Sequence, residues 1–312
     1  MGTGSGFGKT ILFGEHFVVY GMSAIACALG DATTAKVGRV KLANGKKYEL
    51  VDNRPETPGY KVQKRGEYEA LIENVLAFMG VKEQVRITLG GTLVAASGVG
   101  ASAACATALA RAIDDEFKMG RNNEKINEAA YEGEKGPHGT PSGIDNTAAV
   151  YGGMIVFRKG ADGGKNEMEK LKMEKPVEIV LGNSGRTSST KEVIADVRRL
   201  KDEKPNETAK VFDEYEKIAE EAKKALLASD FKKVGGLMNK NHGLLQKITV
   251  SCDELDEMVG AARGAGALGA KLTGTGRGGL MVALTPGKDL QGKVAEAIEK
   301  LGYSSVKTRI GV

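Results

Sequence analysis

The sequence predicts an α+β protein. Three observations point there. Helical and strand-like segments both occur in quantity, they do not alternate strictly as a doubly wound sheet requires, and glycine-rich turns punctuate them. At 312 residues the chain exceeds one ordinary core, so two domains are expected.

The elements follow in order. Residues 10–13, 32–42 and 84–89 are short apolar runs bounded by turn residues and read as strands. Residues 67–78 place Ala70, Leu71, Val75 and Phe78 at helical spacing. A short loop with Ser97, Gly98 and Gly100 runs directly into an alanine-rich helix over 101–112. A second helix is expected over 123–133, then a turn-rich segment over 134–146, then a strand over 148–157. Beyond residue 160 a polar, glycine-rich surface loop or hairpin tip covers 160–170, and 177–181 is an apolar strand. Residues 207–227 form an amphipathic helix with Val211, Tyr215, Ile218, Ala222 and Leu226 on one face. Further helices are expected over 231–248 and 253–262, a strand–turn–strand over 270–284, a helix over 294–301 and a last strand over 305–310.

Composition narrows the function. Hydrophobic residues make up 41% and charged residues 27%, as in soluble globular proteins. Aromatics are 5% with no Trp, which argues against a protein that binds nucleic acid by stacking. The net charge of +5, from 45 basic and 40 acidic residues, is spread along the chain and fits a small anionic substrate as well as any polymer. Cys27, Cys105 and Cys252 are too far apart for a metal motif and odd in number, so buried free thiols in a reducing cytoplasm are expected. No apolar run reaches membrane-spanning length, and no signal-peptide core opens the chain. Met1-Gly2 begins like an acylation site, but Gly6 stands where Ser or Thr is needed.

Three constellations carry chemistry. The loop at 97–100 feeding a helix N-terminus is an anion site, because glycine lets the backbone approach a ligand and the first-turn N–H groups point outward. Residues 274–279 (G-T-G-R-G-G) lie between two strands and hold more glycine than a hairpin needs, as would a second wall for phosphates. Gly8-Lys9-Thr10 is not a Walker A loop, since Thr3 stands where its first glycine belongs and a strand follows; Glu15 and His16 then end that strand. In the segment 134–146, Gly139, Pro141 and Gly143 impose turns that can bring Glu134 and Asp145 together. Such a carboxylate beside a phosphate site is either a Mg2+ ligand or a base for an alcohol.

Together these motifs resemble the GHMP kinases, and within them the mevalonate kinases. The marks are residues 8–21 (G-K-T-I-L-F-G-E-H-F-V-V-Y-G), 98–104 (G-V-G-A-S-A-A), Glu134 with 138–146 (H-G-T-P-S-G-I-D-N), 183–191 and 271–279. The resemblance implies the two-domain α+β GHMP kinase fold, with domains over 1–174 and 175–312 and the active site in the interdomain cleft. It implies ATP- and Mg2+-dependent phosphorylation of the 5-hydroxyl of mevalonate. Asp145 would take or orient the hydroxyl proton, and Lys9 would stabilise charge beside it. Ser97, Gly98, Val99, Gly100, Ala101, Ser102 and Ala103 would cradle the phosphates, with Ser102 and Glu134 holding Mg2+. Glu15, His16, Thr190 and Gly276 would line the substrate pocket. A homodimer, with neither nucleic acid nor membrane as partner, is the family habit. Three departures stand out: Gly6 in place of a usual Pro, Ala101 in place of a usual Ser, and Arg277 in place of a usual Gly. Arg277 is expected to reach a phosphate or the substrate carboxylate. Other GHMP kinases acting on phosphomevalonate or a sugar, and a non-catalytic sensor of the same fold, are the alternatives. The presence of Lys9, Ser102, Glu134 and Asp145 weighs against the sensor.

Overall fold

The computed structural model describes all residues except Asn44, Ser97, Thr140, 161–163, Lys165 and Val312. The chain divides into two compact units, one of Met1–Lys9 with Ala28–Gly152 and one of Thr10–Cys27 with Gly153–Val312. Strands β1 (Gly2–Phe13) and β2 (Ser23–Arg39) each give residues to both units.

In the first unit, β2 is followed by β3 (Tyr48–Asp52), the short helix α1 (Tyr60–Gln63), α2 (Arg65–Phe78) and β4 (Val85–Gly91). Strand β4 lies antiparallel to β2, pairing Val37 with Ile87, and parallel to β3, pairing Leu50 with Ile87. Helices α3 (Ala101–Phe117), α4 (Asn123–His138) and α5 (Ile144–Tyr151) complete the unit. Its core is made of Leu71, Ile72 and Val75 from α2, Leu109 and Ile113 from α3, Ile126 from α4, and Val37, Val85, Ile87 and Leu89 from the strands. The alanines of α3 are all buried, so this helix packs closely on its neighbours. The glycines of β1 serve the same closeness: a Cβ on Gly4 would stand 2.3 Å from the carbonyl oxygen of Ala108, and one on Gly6 would stand 2.3 Å from that of Ala104.

The second unit holds β5 (Met154–Arg158), β6 (Glu167–Leu171), β7 (Val177–Asn183), helices α6 (Thr190–Glu203), α7 (Pro205–Leu227), α8 (Phe231–Lys247) and α9 (Asp253–Gly264), then β8 (Gly269–Thr273), β9 (Leu280–Leu284), α10 (Lys288–Glu299) and β10 (Ser304–Ile310). Strand β7 is antiparallel to both β10 and β9, and β9 is antiparallel to β8. Strand β5 pairs with β6 and with the start of β2. Gly235 of α8 and Gly269 of β8 approach so closely that a Cβ on Gly269 would lie 2.1 Å from the Gly235 carbonyl oxygen.

Several expectations need correction. Residues 148–157 are not one strand. The chain stays helical to Tyr151, turns at Gly152 and Gly153, both with positive φ, and only then becomes β5. Thr147 Oγ1 donates to the Gly143 carbonyl at 2.6 Å, the back-bond to the i−4 carbonyl that a helical threonine makes. The second helix runs five residues past 133, to His138, and so carries Glu134. Strand β3 and helices α1 and α6 have no predicted counterpart, and β6 takes up part of the 160–170 segment as the second arm of a hairpin with β5. Phe78, expected on the buried face of α2, is 41% exposed, because the face turns at Leu76 and Met79 near the helix end.

Candidate active site

Within the first unit the groups gather around the start of α3. Gly98 and Gly100 have φ of 90° and 68°, values that glycine adopts without strain. Gly100 is the cap residue of α3, and no side chain caps the helix, so the first-turn N–H groups of Ala101, Ser102 and Ala103 are turned out of the helix without a side-chain partner. Val99 accepts a hydrogen bond from the Lys9 N–H at 2.8 Å, fixing the loop against β1. A Cβ on Gly100 would sit 2.9 Å from Lys9 Cγ, so the loop's glycine and the lysine stem share one space. Ser97 lies outside the described residues.

Lys9 is buried, and its Nζ stands 3.0 Å from Asp145 Oδ1, while the Asp145 side chain keeps a third of its surface exposed. Asp145 is in the first turn of α5, which begins at Gly143 with φ 91°. Glu134 projects from α4 and is 1% exposed. Burial, reinforced by the Asp145 charge, pushes its carboxyl up to about 8, against the opposing pull of the Ser102 hydroxyl bonded to it and of Lys9. His138 Nε2 lies 3.6 Å from Glu134 Oε2, and Glu134 Oε1 is a buried oxygen with no hydrogen-bond partner. Of the predicted residues, Lys9, Ser102, Glu134 and Asp145 are thus brought together.

Mg2+ prefers hard oxygen ligands and usually takes only one or two carboxylates, with phosphate and water completing its shell. The unpartnered Glu134 oxygen, the Ser102 hydroxyl and the adjacent Asp145 fit that donor set. No cluster of three or more His, Cys, Asp or Glu with metal-site geometry exists among the described residues, so a metal here would need oxygens from its ligand.

In the second unit one turn, residues 274–279 between β8 and β9, collects the predicted substrate residues. His16 Nε2 stands 2.7 Å from the Thr275 carbonyl oxygen, and Thr190 Oγ1 stands 2.8 Å from Thr275 Oγ1. Ser188 Oγ donates to the Gly276 carbonyl at 2.5 Å. Gly276 has φ 78°, and a Cβ there would meet the Val250 carbonyl oxygen at 2.2 Å, so close packing alone requires this glycine. His16 is buried with φ 61°. Desolvation lowers its pKa, helped by the Arg277 charge and opposed by the Thr275 bond. Glu15 is fully enclosed and paired with Lys271, Nζ to Oε1 2.5 Å.

Arg277 does not reach out for a ligand. Its Nη1 meets Asp196 Oδ2 at 2.5 Å, its Nε donates to the Thr249 carbonyl at 2.8 Å, and its Nη2 donates to Thr249 Oγ1 at 3.0 Å. The guanidinium is spent on α6 and on the turn after α8, so the expected contact with a phosphate or carboxylate is replaced by a structural brace. Lys271 belonged to a recognised motif, but its sequence position suggested no role. The available signal was a single charge inside the otherwise apolar run of β8.

Profiles of the GHMP kinases match the chain twice, the N terminal domain over residues 68–153 and the C terminal domain over residues 222–304. The mevalonate kinase of Pyrococcus abyssi is 36% identical over 325 aligned residues, covering 97% of this chain and 93% of that protein. The crystal structure of L. major mevalonate kinase in complex with R-mevalonate superposes with a TM-score of 0.93 at 36% identity, covering 99% of this chain and 96% of that one. The Methanococcus jannaschii mevalonate kinase gives a TM-score of 0.80 at 23% identity, a likeness of fold, over 99% of this chain and 98% of that one. With the lysine–aspartate pair, the uncapped helix start and full-length likeness in agreement, this chain belongs to the mevalonate kinases of the GHMP kinase family.

Proposed function

We propose that the chain transfers the γ-phosphoryl group of ATP to the 5-hydroxyl of mevalonate, giving 5-phosphomevalonate and ADP. The observation that carries the reading is the ion pair of Lys9 with Asp145, 3.0 Å apart, beside the uncapped start of α3. In phosphoryl transfer, catalysis is mostly positioning and neutralisation of charge. Asp145 accepts the hydroxyl proton as the oxygen bonds to phosphorus and the bond to ADP breaks. Lys9 holds the Asp145 carboxylate in place and offsets negative charge. The N–H groups of Ala101, Ser102 and Ala103, with Gly98, Val99 and Gly100, cradle phosphate oxygens at the positive end of the helix dipole. Glu134 and Ser102 would hold Mg2+, which when bound would neutralise charge on the nucleotide phosphates. His16, Thr190 and the turn at Gly276 receive the substrate, with Glu15 behind them.

Two further parts belong to the same reading. The chain works as a homodimer, which light scattering tests by a mass of twice one chain. It works in the cytoplasm, a compartment in keeping with three free cysteines. No helix among the described residues is long and apolar enough to cross a membrane.

The deciding experiment is a coupled ADP-release assay with ATP, Mg2+ and a panel of mevalonate, phosphomevalonate, galactose and homoserine. Turnover on mevalonate alone supports the reading. Turnover on another member, or ATP binding without turnover on any, overturns it.

A further inference from the structure

Strand β8 is buried at all five positions, yet it carries a lysine. Lys271 Nζ donates to Glu15 Oε1 at 2.5 Å and to the Leu272 carbonyl at 2.6 Å, and both side chains of the ion pair are fully enclosed. Such a pair is a poor source of stability, because desolvating two ions offsets their attraction and apolar side chains of equal volume do as well or better. Its use lies in the geometry it fixes.

Glu15 stands between two unusual residues. Gly14 has φ 111°, and a Cβ there would meet Ala24 Cα at 2.5 Å. His16 has φ 61° and ψ −40°, the rare γ-turn conformation, which a non-glycine residue keeps only where its surroundings over-determine it. Three contacts supply that determination. The Phe17 N–H donates to the Glu15 carbonyl at 2.7 Å, the His16 ring meets the Thr275 carbonyl, and Lys271 grips the Glu15 carboxylate. Lys271 and Thr275 lie four residues apart on one strand and its turn, so the lysine ties the residue before His16 to the segment that receives the His16 ring. The strand is itself braced from α8, where His242 Nδ1 accepts from the Leu272 N–H at 3.3 Å and Nε2–H donates to Asp256 Oδ1 at 3.0 Å.

The tautomer of His16 follows. A carbonyl oxygen only accepts, so Nε2 carries the proton toward Thr275, and burial keeps the ring neutral. Nδ1 is then a bare acceptor, buried and without a hydrogen-bond partner. A bare acceptor takes a hydroxyl and cannot take a carboxylate.

We propose that Lys271 is a positioning residue which, through Glu15, fixes the His16 ring so that Nδ1 accepts a hydrogen bond from a hydroxyl of the substrate. The proposal rests on the assignment of His16 to the substrate pocket. It is tested with Lys271→Met and with the double variant Glu15→Gln/Lys271→Met, which leaves no unpaired buried charge. Steady-state kinetics are combined with 15N imidazole spectra, His16 being assigned by the signal lost in His16→Asn. Both variants are expected to raise the KM for mevalonate roughly tenfold, the worth of one hydrogen bond to a well-placed group, with the KM for ATP nearly unchanged. The His16 signal is expected to pass from a single Nε2–H tautomer to a mixture. The double variant is expected to regain thermal stability lost in Lys271→Met without regaining the KM. A folded variant with unchanged mevalonate KM and an unchanged His16 signal overturns the proposal. So does failure of both variants to fold, which makes the pair a stability element alone. If the wild-type enzyme does not turn over mevalonate, the functional reading fails instead, and the tautomer spectra still decide whether Lys271 sets the ring.

Discussion

In the proposed reaction Asp145 is the residue on which the chemistry turns. Its side chain is one-third exposed, while Lys9 approaches it from a buried position. Asp145→Ala and Asp145→Asn should each lower kcat by about 10²–10⁴-fold, the range of a lost general base, with nucleotide binding retained by calorimetry. Glu134 makes a different prediction. Its folded-state pKa, about 8, lies above the ordinary 4.5. Below 4.5 both folded and unfolded states hold the proton and there is no penalty. Between 4.5 and 8 the unfolded state ionises first, so metal-free protein loses stability as pH rises across this window. Thermal melts of the metal-free protein from pH 5 to 8.5 should fall through it, and Glu134→Gln should flatten that part of the profile. The same ionisation prepares Glu134 for a cation, so Mg·ADP should bind more tightly as pH rises to 8, a trend the Gln variant should lose.

At the scale of elements, the start of α3 and the turn after β8 decide most. Gly100 lies in a left-handed conformation and leaves no room for a Cβ beside Lys9. Gly100→Ala should therefore cost about 1 kcal/mol and also depress kcat, since the lysine stem must move. Urea unfolding and initial rates measure the two parts separately. Arg277 is a brace rather than a ligand, and its side chain is 31% exposed. Arg277→Ala should lower stability by about 1 kcal/mol or less, after discounting for solvent screening, with both Michaelis constants little changed. A large rise in either constant would restore the ligand role that the sequence suggested. Helix α6 illustrates a missed signal: Ser189 accepts from the Glu192 N–H, an S-x-x-E start readable in the sequence, whereas its body is highly charged with only Val193 and Val197 buried. Strand β3 is short and half-exposed, and it exists because β4 offers a parallel partner, a condition no local pattern announces.

At the scale of the whole molecule, the two compact units draw on β1 and β2 in alternation. Lys9 is the last residue of the opening segment of the first unit and Thr10 begins the second, so one strand supplies both the lysine paired with Asp145 and the start of the Glu15–His16 turn. Such sharing depends on which distant segments pair.

What the sequence determined by itself was the family and its chemistry. The motifs at 8–21, 98–104, 134–146 and 271–279 are each contiguous in the chain, and glycines such as Gly98, Gly100, Gly139 and Gly143 mark positive-φ positions within them. The α+β class was legible for the same reason, since periodicity and turn residues act over a few positions. Tertiary structure alone decided the partners: that Lys271 grips Glu15, 256 positions away in the chain, and that Arg277 is occupied by Asp196 and Thr249. Charge makes the difference. A lysine or arginine in a sequence announces a cation, but whether it serves a ligand or a buried carboxylate depends on which segment folding brings within 3 Å, and at such separations no local pattern records the choice.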